Sequence, residues 1–371
     1  MRYKVLVIGG AGFIGSFLVD ELIKQGHDVT IFDNLEPQVH NGKIPSYLNK
    51  EAKFIQGDVK DYEALKKAVT DMDVIFHQAA SVGVGQSMYQ IKKYVENNSL
   101  GTANLLDILV NAKHSVKKLL VASSMSIYGE GSYLCENCGN VNPTLRTSEQ
   151  LANKDWELHC PRCSSILKAI PTTERKPLEC NSIYAITKRD QEEMVLNIGK
   201  AYGIPTVALR YFNVFGPRQS LSNPYTGVMA IFLSRIKNDR PPLIFEDGKQ
   251  SRDFVSVHDI VQANILAMKQ RAADFNVFNV GTGNPVTIKD VAEKLIALCG
   301  KKLVPEITQL FRKGDIRHCF ADITKIKEKL GFEPKTNLEN GLVELVQWSA
   351  DVEAEDKVGQ ATAELKTKGL I

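Results

Sequence analysis

The chain has 371 residues, 43% of them hydrophobic and 24% charged, with a formal net charge of +3. That length supports one large domain or two lobes around a well-buried core, and the even charge balance argues against a nucleic-acid surface. No apolar run approaches the roughly 20 residues of a membrane span, and Met1-Arg2-Tyr3-Lys4 leads straight into a strand pattern, so a soluble cytoplasmic protein without a membrane partner is expected.

Val5 to Ile8 is a continuous apolar run, the pattern of a strand covered on both faces. Ile14, Phe17, Leu18, Leu22 and Ile23 then recur at helical spacing until Gly26 stops the helix. Asp28 to Asp33, Phe54 to Asp58, Val74 to His77 and Lys118 to Ala122 read as further strands. Asp61 is placed to cap a helix running to Val69, and a long helix is expected over Ile91 to Ala112. Strands alternating with helices imply parallel pairing through right-handed crossovers, hence an α/β, Rossmann-type doubly wound sheet. From about Gly216 the chain becomes irregular and rich in Pro, Gly and Asn, with helices expected at Val286 to Leu298 and Ile323 to Leu330. The division that follows is a dinucleotide domain over 1–210, interrupted by an insertion at about 131–172. A smaller substrate lobe covers 211–350 and a tail 351–371, whose charged stretch Glu353 to Lys368 is expected to be a solvated helix.

The turn after the first strand reads Gly9-Gly10-Ala11-Gly12-Phe13-Ile14-Gly15. Glycine serves there because the turn needs unusual torsions and the backbone must approach a pyrophosphate closely. The helix that follows directs its N-terminal N–H groups at that anion. The strand–turn–helix context makes the pattern specific for a dinucleotide. Asp33 ends the second strand, 18 residues past Gly15, where a carboxylate accepts from the ribose hydroxyls and repels a 2′-phosphate. No arginine adjoins it, since Asn34 and Leu35 follow, which favours NAD over NADP. Asp58 is placed either to reach the adenine or to lead a helix.

Tyr184 and Lys188 lie at i and i+4 on one helix face. A phenol titrates near pH 10; a neighbouring ammonium and a positive nicotinamide ring favour its anion, so Tyr184 is expected to have a lowered pKa and to serve as a base near neutral pH. These blocks, with His77-Gln78-Ala79-Ala80, Asn97 to Thr102, Ser123 to Gly129, Tyr211 to Arg218, Arg252 to Val255 and Arg312 to Asp315, resemble the extended short-chain dehydrogenase/reductase family. The resemblance runs over about residues 3–350 and points to the NAD-dependent nucleotide-sugar epimerase and dehydratase branch. It implies that Ser124 hydrogen-bonds the reacting sugar oxygen, that Tyr184 is the acid/base and that Lys188 holds the nicotinamide ribose. It also implies that Val59, Ala79, Ala80 and Asn98 line the cofactor, and that Asn213, Arg252 and Arg312 hold a nucleotide diphosphate sugar, for which guanidinium groups suit the phosphates. His77 is expected to be structural.

Dehydratases of this branch carry a carboxylate after the catalytic Ser/Thr to remove the C5 proton. Here Ser124 is followed by Met125 and Ser126, neither of which serves that role. A 4-epimerase working through a transient 4-keto sugar remains, ahead of a 4,6-dehydratase or 4-ketoreductase. Within the 4-epimerases, Ala80 to Tyr89 and Ser123 to Glu130 resemble the subgroup acting on dTDP-L-rhamnose, with UDP-glucose 4-epimerases as neighbours. An NAD-sensing scaffold without chemistry is the non-enzymatic alternative; such proteins lack the Tyr or Lys, which this chain keeps. By resemblance, a homodimer is expected to pair the helices near 91–112 and 182–202.

Ser124 and Tyr184 are 60 positions apart because of the insertion, which contains Cys135-x-x-Cys138 and Cys160-x-x-Cys163, separated by 21 residues. That is the spacing of a four-thiolate zinc site. A closed set of four sulfurs leaves no open coordination position, so the expected zinc is structural, with disulfides and iron as alternatives. Nucleic-acid binding is disfavoured, because Lys154, Arg162 and Lys168 are offset by Glu136, Glu149, Asp155 and Glu157. Cys180, Cys299 and Cys319 are scattered singly and read as reduced, packed residues.

Overall fold

The computed structural model describes residues 2–371. Seven parallel strands form the main sheet in the spatial order Asn276–Val280, Thr206–Tyr211, Lys118–Ser124, Val74–His77, Lys4–Ile8, Asp28–Asp33, Lys53–Gln56. The strand direction of travel reverses between Lys4–Ile8 and Val74–His77, which opens a crevice at the strand C-termini. The unbroken apolar runs of the inner strands serve two cores at once. Val5 and Val7 pack with Leu18 and Leu22 of helix Phe13–Lys24 and Ile260 of helix Val257–Lys269. Leu6 and Ile8 face the opposite way, toward Leu65, Leu105 and Val195 of helices Tyr62–Val69, Gly101–Asn111 and Ile183–Tyr202. The result is three layers, helix on sheet on helix. Asp61 caps Tyr62–Val69 as expected, its carboxylate accepting from the Ala64 N–H at 3.0 Å.

The long helix near 91–112 is not regular. Ile91–Tyr94 is α-helical, Val95–Leu100 is a π-helical turn, and Gly101–Asn111 resumes the α-helix. Hydrophobic spacing does not reveal one wider turn, because the helix continues through it.

The smaller region has its own sheet, Asn213–Phe215 beside Ser251–Ser256 beside Pro285–Thr287, with His318–Cys319 also paired to Ser251–Ser256. Its core joins Phe232, Leu233, Leu295 and Leu342. Residue 210 is not a clean boundary: helix Val257–Lys269 and strand Asn276–Val280 return to the first layer system. The insertion carries three antiparallel strands in the order Gly139–Val141, Ser132–Cys135, Lys168–Ile170. Its apolar cluster is small: Tyr133, Cys135, Val141, Leu158, Cys160 and Leu167.

The tail departs from expectation. A helix forms at Val358–Thr367, but one face is docked rather than solvated: Ala361 and Leu365 are buried, and Glu364 accepts from the phenols of Tyr89 at 2.9 Å and Tyr225 at 2.5 Å. The charged composition hid a two-residue apolar face that finds a partner only in the folded chain.

Candidate active site

A cavity of about 500 Å³ runs along the C-terminal ends of the parallel strands and under the smaller region. Gly9, Gly12, Phe13, Ile14 and Gly15 form one wall. Gly9 adopts φ +81°, and a Cβ on it would lie 2.6 Å from the Ala79 nitrogen. A Cβ on Gly15 would lie 2.2 Å from the Gly9 carbonyl oxygen. Any larger residue at either position would therefore push the turn apart. Helix Phe13–Lys24 starts at Gly12 without a side-chain cap, so its first N–H groups are left to whatever occupies the crevice.

Asp33 is fixed by two backbone donors: Ala11 N–H to Oδ2 at 3.0 Å and Leu35 N–H to Oδ1 at 2.9 Å. Its side chain lines the cavity with lone pairs still available, beside Asn34, Gly57 and Val59. Asp58 lies outside the lining. It accepts from Asn34 Nδ2 at 3.1 Å and from the Lys60 N–H at 2.9 Å, and the helix that follows is capped by Asp61 instead. Ala79 and Ala80 line the cavity. Asn98 is fully buried behind that wall, where it accepts from the Ser81 N–H at 2.7 Å and donates to the Ser81 carbonyl at 3.1 Å and Thr187 Oγ1 at 3.0 Å. The π-helical turn brings its neighbour Asn97 to the surface of the cavity instead, with Asn97 Oδ1 left without a partner. A π turn of this kind recurs at functional sites because it redirects side chains without ending the helix.

Ser124, Tyr184 and Lys188 meet at the same cavity. Ser124 ends the strand Lys118–Ser124, and its Oγ accepts from the Ser126 N–H at 3.1 Å and pairs with Ser126 Oγ at 2.9 Å. Tyr184 and Lys188 stand in the first turns of Ile183–Tyr202, a helix capped by Ser182, whose Oγ accepts the Ala185 N–H at 3.1 Å. The Tyr94 ring packs edge-on against the Tyr184 ring at 6.4 Å. Lys188 Nζ donates to the Ala122 carbonyl at 2.8 Å.

The expected acidification of Tyr184 is not built into the protein alone. Burial raises its pKa, with Ser124 acting in the opposite direction. Lys188, buried without a counter-ion, is itself pushed down to about 7. In a low-dielectric pocket both groups favour their neutral forms, and the ammonium that was to stabilise the phenolate is only partly present near neutral pH. His77 is structural as expected. It is buried against Thr102 Oγ1 at 2.9 Å and its pKa falls to about 3 through burial, so it is neutral in the working range.

On the other wall Asn213 lines the cavity, its Oδ1 buried without a protein partner. Arg252 and Arg312 do not reach the lining. The Arg252 guanidinium donates to the carbonyls of Ser251 at 2.8 Å, Ile316 at 2.7 Å and Arg317 at 3.0 Å. Arg312 donates to Asp315 Oδ2 at 2.7 Å and lies over the Phe245 ring. The lining contains Phe254, given only as part of a family-like block, and two residues that sequence reasoning did not name, Gln219 and Tyr225. These two sit in an irregular loop with no periodicity to mark a face. The acids on the lining are Asp33, the last residue of the second strand, and Glu36, just beyond it, and neither adjoins Ser124. The four cysteines converge in the insertion: their Sγ atoms lie within 4.8 Å of one another, and all are free of disulfides.

Comparison with known proteins agrees with this architecture. The sequence model described as NAD dependent epimerase/dehydratase family matches residues 5–148, and that described as GDP-mannose 4,6 dehydratase matches residues 166–345. The dTDP-L-rhamnose 4-epimerase of Burkholderia thailandensis is 34% identical over 94% of this chain and 95% of its own length. The chain belongs to the NAD-dependent epimerase/dehydratase family. Within that family, the UDP-glucose 4-epimerase of Thermotoga maritima, solved with UDP-glucose, has a TM-score of 0.74 and 33% identity over 93% of this chain and 98% of its own. A UDP-glucuronic acid 4-epimerase of Bacillus cereus, solved with a fluorinated substrate analogue and NAD, has a TM-score of 0.77 and 27% identity over 94% of this chain and all of its own. Gly9, Gly12 and Gly15 line the same cavity as Ser124, Tyr184 and Lys188, and the stretch between the two matched regions, 149–165, carries Cys160 and Cys163.

Proposed function

We propose that this protein is an NAD-dependent nucleotide-sugar 4-epimerase, with a dTDP-6-deoxyhexose of the L-rhamnose type as substrate. The observation that carries the reading is the meeting of Ser124, Tyr184 and Lys188 in one cavity whose lining has no carboxylate near Ser124. Such a site has an acid/base for a carbinol and lacks the base a dehydratase needs at C5. The B. thailandensis relative supports the choice of sugar. The UDP-glucose-bound T. maritima structure supports UDP-glucose as the second candidate.

The wall fits NAD: the glycine turn is packed too tightly to admit a Cβ at Gly9 or Gly15, which keeps it a bare backbone surface, and Asp33 is pre-set to accept from ribose hydroxyls. Gly9 to Gly15 would hold the pyrophosphate, Asp33 and Asn34 the adenosine ribose, and Lys188 the nicotinamide ribose. NAD supplies a hydride acceptor at the carbinol carbon. Tyr184 Oη takes the proton of the sugar C4 hydroxyl and returns it after the carbon has been inverted. Ser124 Oγ, which accepts from Ser126 and so keeps its own proton to give, donates to the same sugar oxygen and holds it in line. Lys188, once its charge is stabilised by an occupied site, lowers the phenol toward working pH. Asn213 Oδ1 is free to accept from the substrate, and Arg252 and Arg312 are assigned to the diphosphate, which they would reach on leaving their present carbonyl and Asp315 partners.

The cysteine quartet fits a zinc ion. Tetrahedral Zn–S bonds of about 2.3 Å place sulfurs just under about 4 Å apart, compatible with a cluster in which all four lie within 4.8 Å and the Cys135–Cys163 pair at 3.5 Å. A reducing cytoplasm keeps such thiolates available. The helical stretch Ile91–Leu100, π turn included, and helix Ile183–Tyr202 expose Ile91, Val95, Leu100 and Ile186, an apolar face we assign to a homodimer contact; a single monomeric species in sedimentation would remove that part. Incubation with dTDP-L-rhamnose and with UDP-glucose, read by NMR, tests the whole reading. The C4 epimer of the first is expected, and failure to convert any nucleotide sugar would overturn it.

A further inference from the structure

The insertion is tied to the smaller region by an ionic network in which Arg146, Arg317 and Glu246 are buried and Glu157 and Asp247 are partly exposed. Arg317, fully buried, donates to Glu157 Oε1 at 2.5 Å, Glu246 Oε2 at 3.1 Å and Asp247 Oδ1 at 2.6 Å. Arg146 of the insertion makes a two-point contact with Glu246, both bonds 2.9 Å, and donates to the Asp315 carbonyl at 3.2 Å. Glu157 precedes Leu158, a member of the cysteine-lined cluster, and lies three positions before Cys160. The carbonyls of Ile316 and Arg317 are the ones that hold the Arg252 guanidinium, and the Asp315 carboxylate holds Arg312. Polar contacts therefore run from Glu157, joined to Cys160 by three residues of backbone, through Arg317 to the segment that holds both arginines assigned to the diphosphate.

Charges removed from water need complete, well-formed partners, so this network persists only while every member is in place. A cluster of six buried residues gives the insertion too little core to fix Glu157 and Arg146 by itself. Four thiolates held by a metal supply that fixity.

We propose that the metal-closed insertion is a positioning element for the nucleotide end of the substrate, acting through Glu157 and Arg317 on the segment that holds Arg252 and Arg312. The proposal rests on the assignments of zinc and of the two arginines made above. Glu157 and Arg317 are positioning residues and touch no substrate.

The test compares zinc-loaded protein, zinc-stripped protein and Glu157→Gln. Each is read by metal content, by amide hydrogen exchange over residues 312–319, and by kcat and KM for the nucleotide sugar that is turned over. Stripping is expected to speed exchange in 312–319 by about tenfold and to raise KM by about tenfold with kcat little changed, a coupling of ordinary size. Zinc added back should reverse both changes. Glu157→Gln should keep its zinc yet reproduce them. Unchanged exchange in 312–319 when the insertion itself has loosened would overturn the coupling, as would a protein that neither carries nor takes up zinc. The exchange readout needs no substrate, so an error in the assigned sugar leaves this test decisive. If Glu157→Gln does not fold, stripping and reloading the natural chain gives the answer alone.

Discussion

The catalytic cavity and the cysteine insertion achieve order by opposite means. At the cavity, Ser124 sits at the end of a strand paired on both sides, and Tyr184 and Lys188 ride on a 20-residue helix packed against the same sheet. Two large apolar cores hold those elements, so no single side chain is needed to keep the three groups together. The insertion has a six-residue apolar cluster, four sulfurs and a ring of buried charges. The contrast teaches that a site placed by regular structure tolerates loss of one contact, whereas a segment placed by a few polar bonds fails when one is removed.

The largest effect expected is on chemistry. Tyr184→Phe should fold and retain NAD but lose activity by about 10³-fold, the usual loss of a positioned acid/base; steady-state kinetics beside cofactor quantitation checks this, and full activity would break the assignment. The contrast between regions is sharpened by paired truncations. Leu209→Ala, in the main core, should lower global stability by about 3 kcal/mol. Leu158→Ala, in the insertion, should leave the global denaturation midpoint within about 1 kcal/mol while the insertion opens locally, read by hydrogen exchange. Equal losses in both would mean that the insertion is not a separate unit. Gly15→Ala should cost about 2 kcal/mol through overpacking against the Gly9 carbonyl, with a larger loss of cofactor retention.

The smallest effect concerns Lys188. Its folded pKa of about 7 lies below its ordinary 10.5, so the buried charge opposes folding fully below pH 7 and progressively less as pH rises toward 10.5. In the cofactor-free protein, Lys188→Met should therefore raise Tm by about 3 °C at pH 6, with the gain shrinking toward pH 10, while activity falls. A Tm difference independent of pH would show that Lys188 carries its charge at no cost.

Much of the site was legible because its chemistry is tied to local pattern. The glycine turn announces itself by residues that must lack a Cβ, and Tyr184 with Lys188 by the helical repeat. Asp33 is found by its place at a strand end. Other features gave no such signal. Asn97 and Asn98 are consecutive, and only the π turn decides which one meets the cavity. Arg252 and Arg312 stand in family-like blocks, yet nearby carbonyls and Asp315 hold them outside the lining. The tail reads as solvated until Tyr89 and Tyr225 are seen to meet Glu364.

By itself the sequence determined the doubly wound sheet, the glycine turn, the Tyr184–Lys188 pair and the two C-x-x-C pairs, because each rests on short-range spacing along the chain. Tertiary structure alone decided how strand Asn276–Val280 rejoins the first sheet, which of two asparagines faces the cavity, and how Arg317 links the insertion to the smaller region. Those outcomes depend on groups up to 160 positions apart meeting in a low-dielectric interior, where pairing is set by three-dimensional proximity and no local periodicity records it.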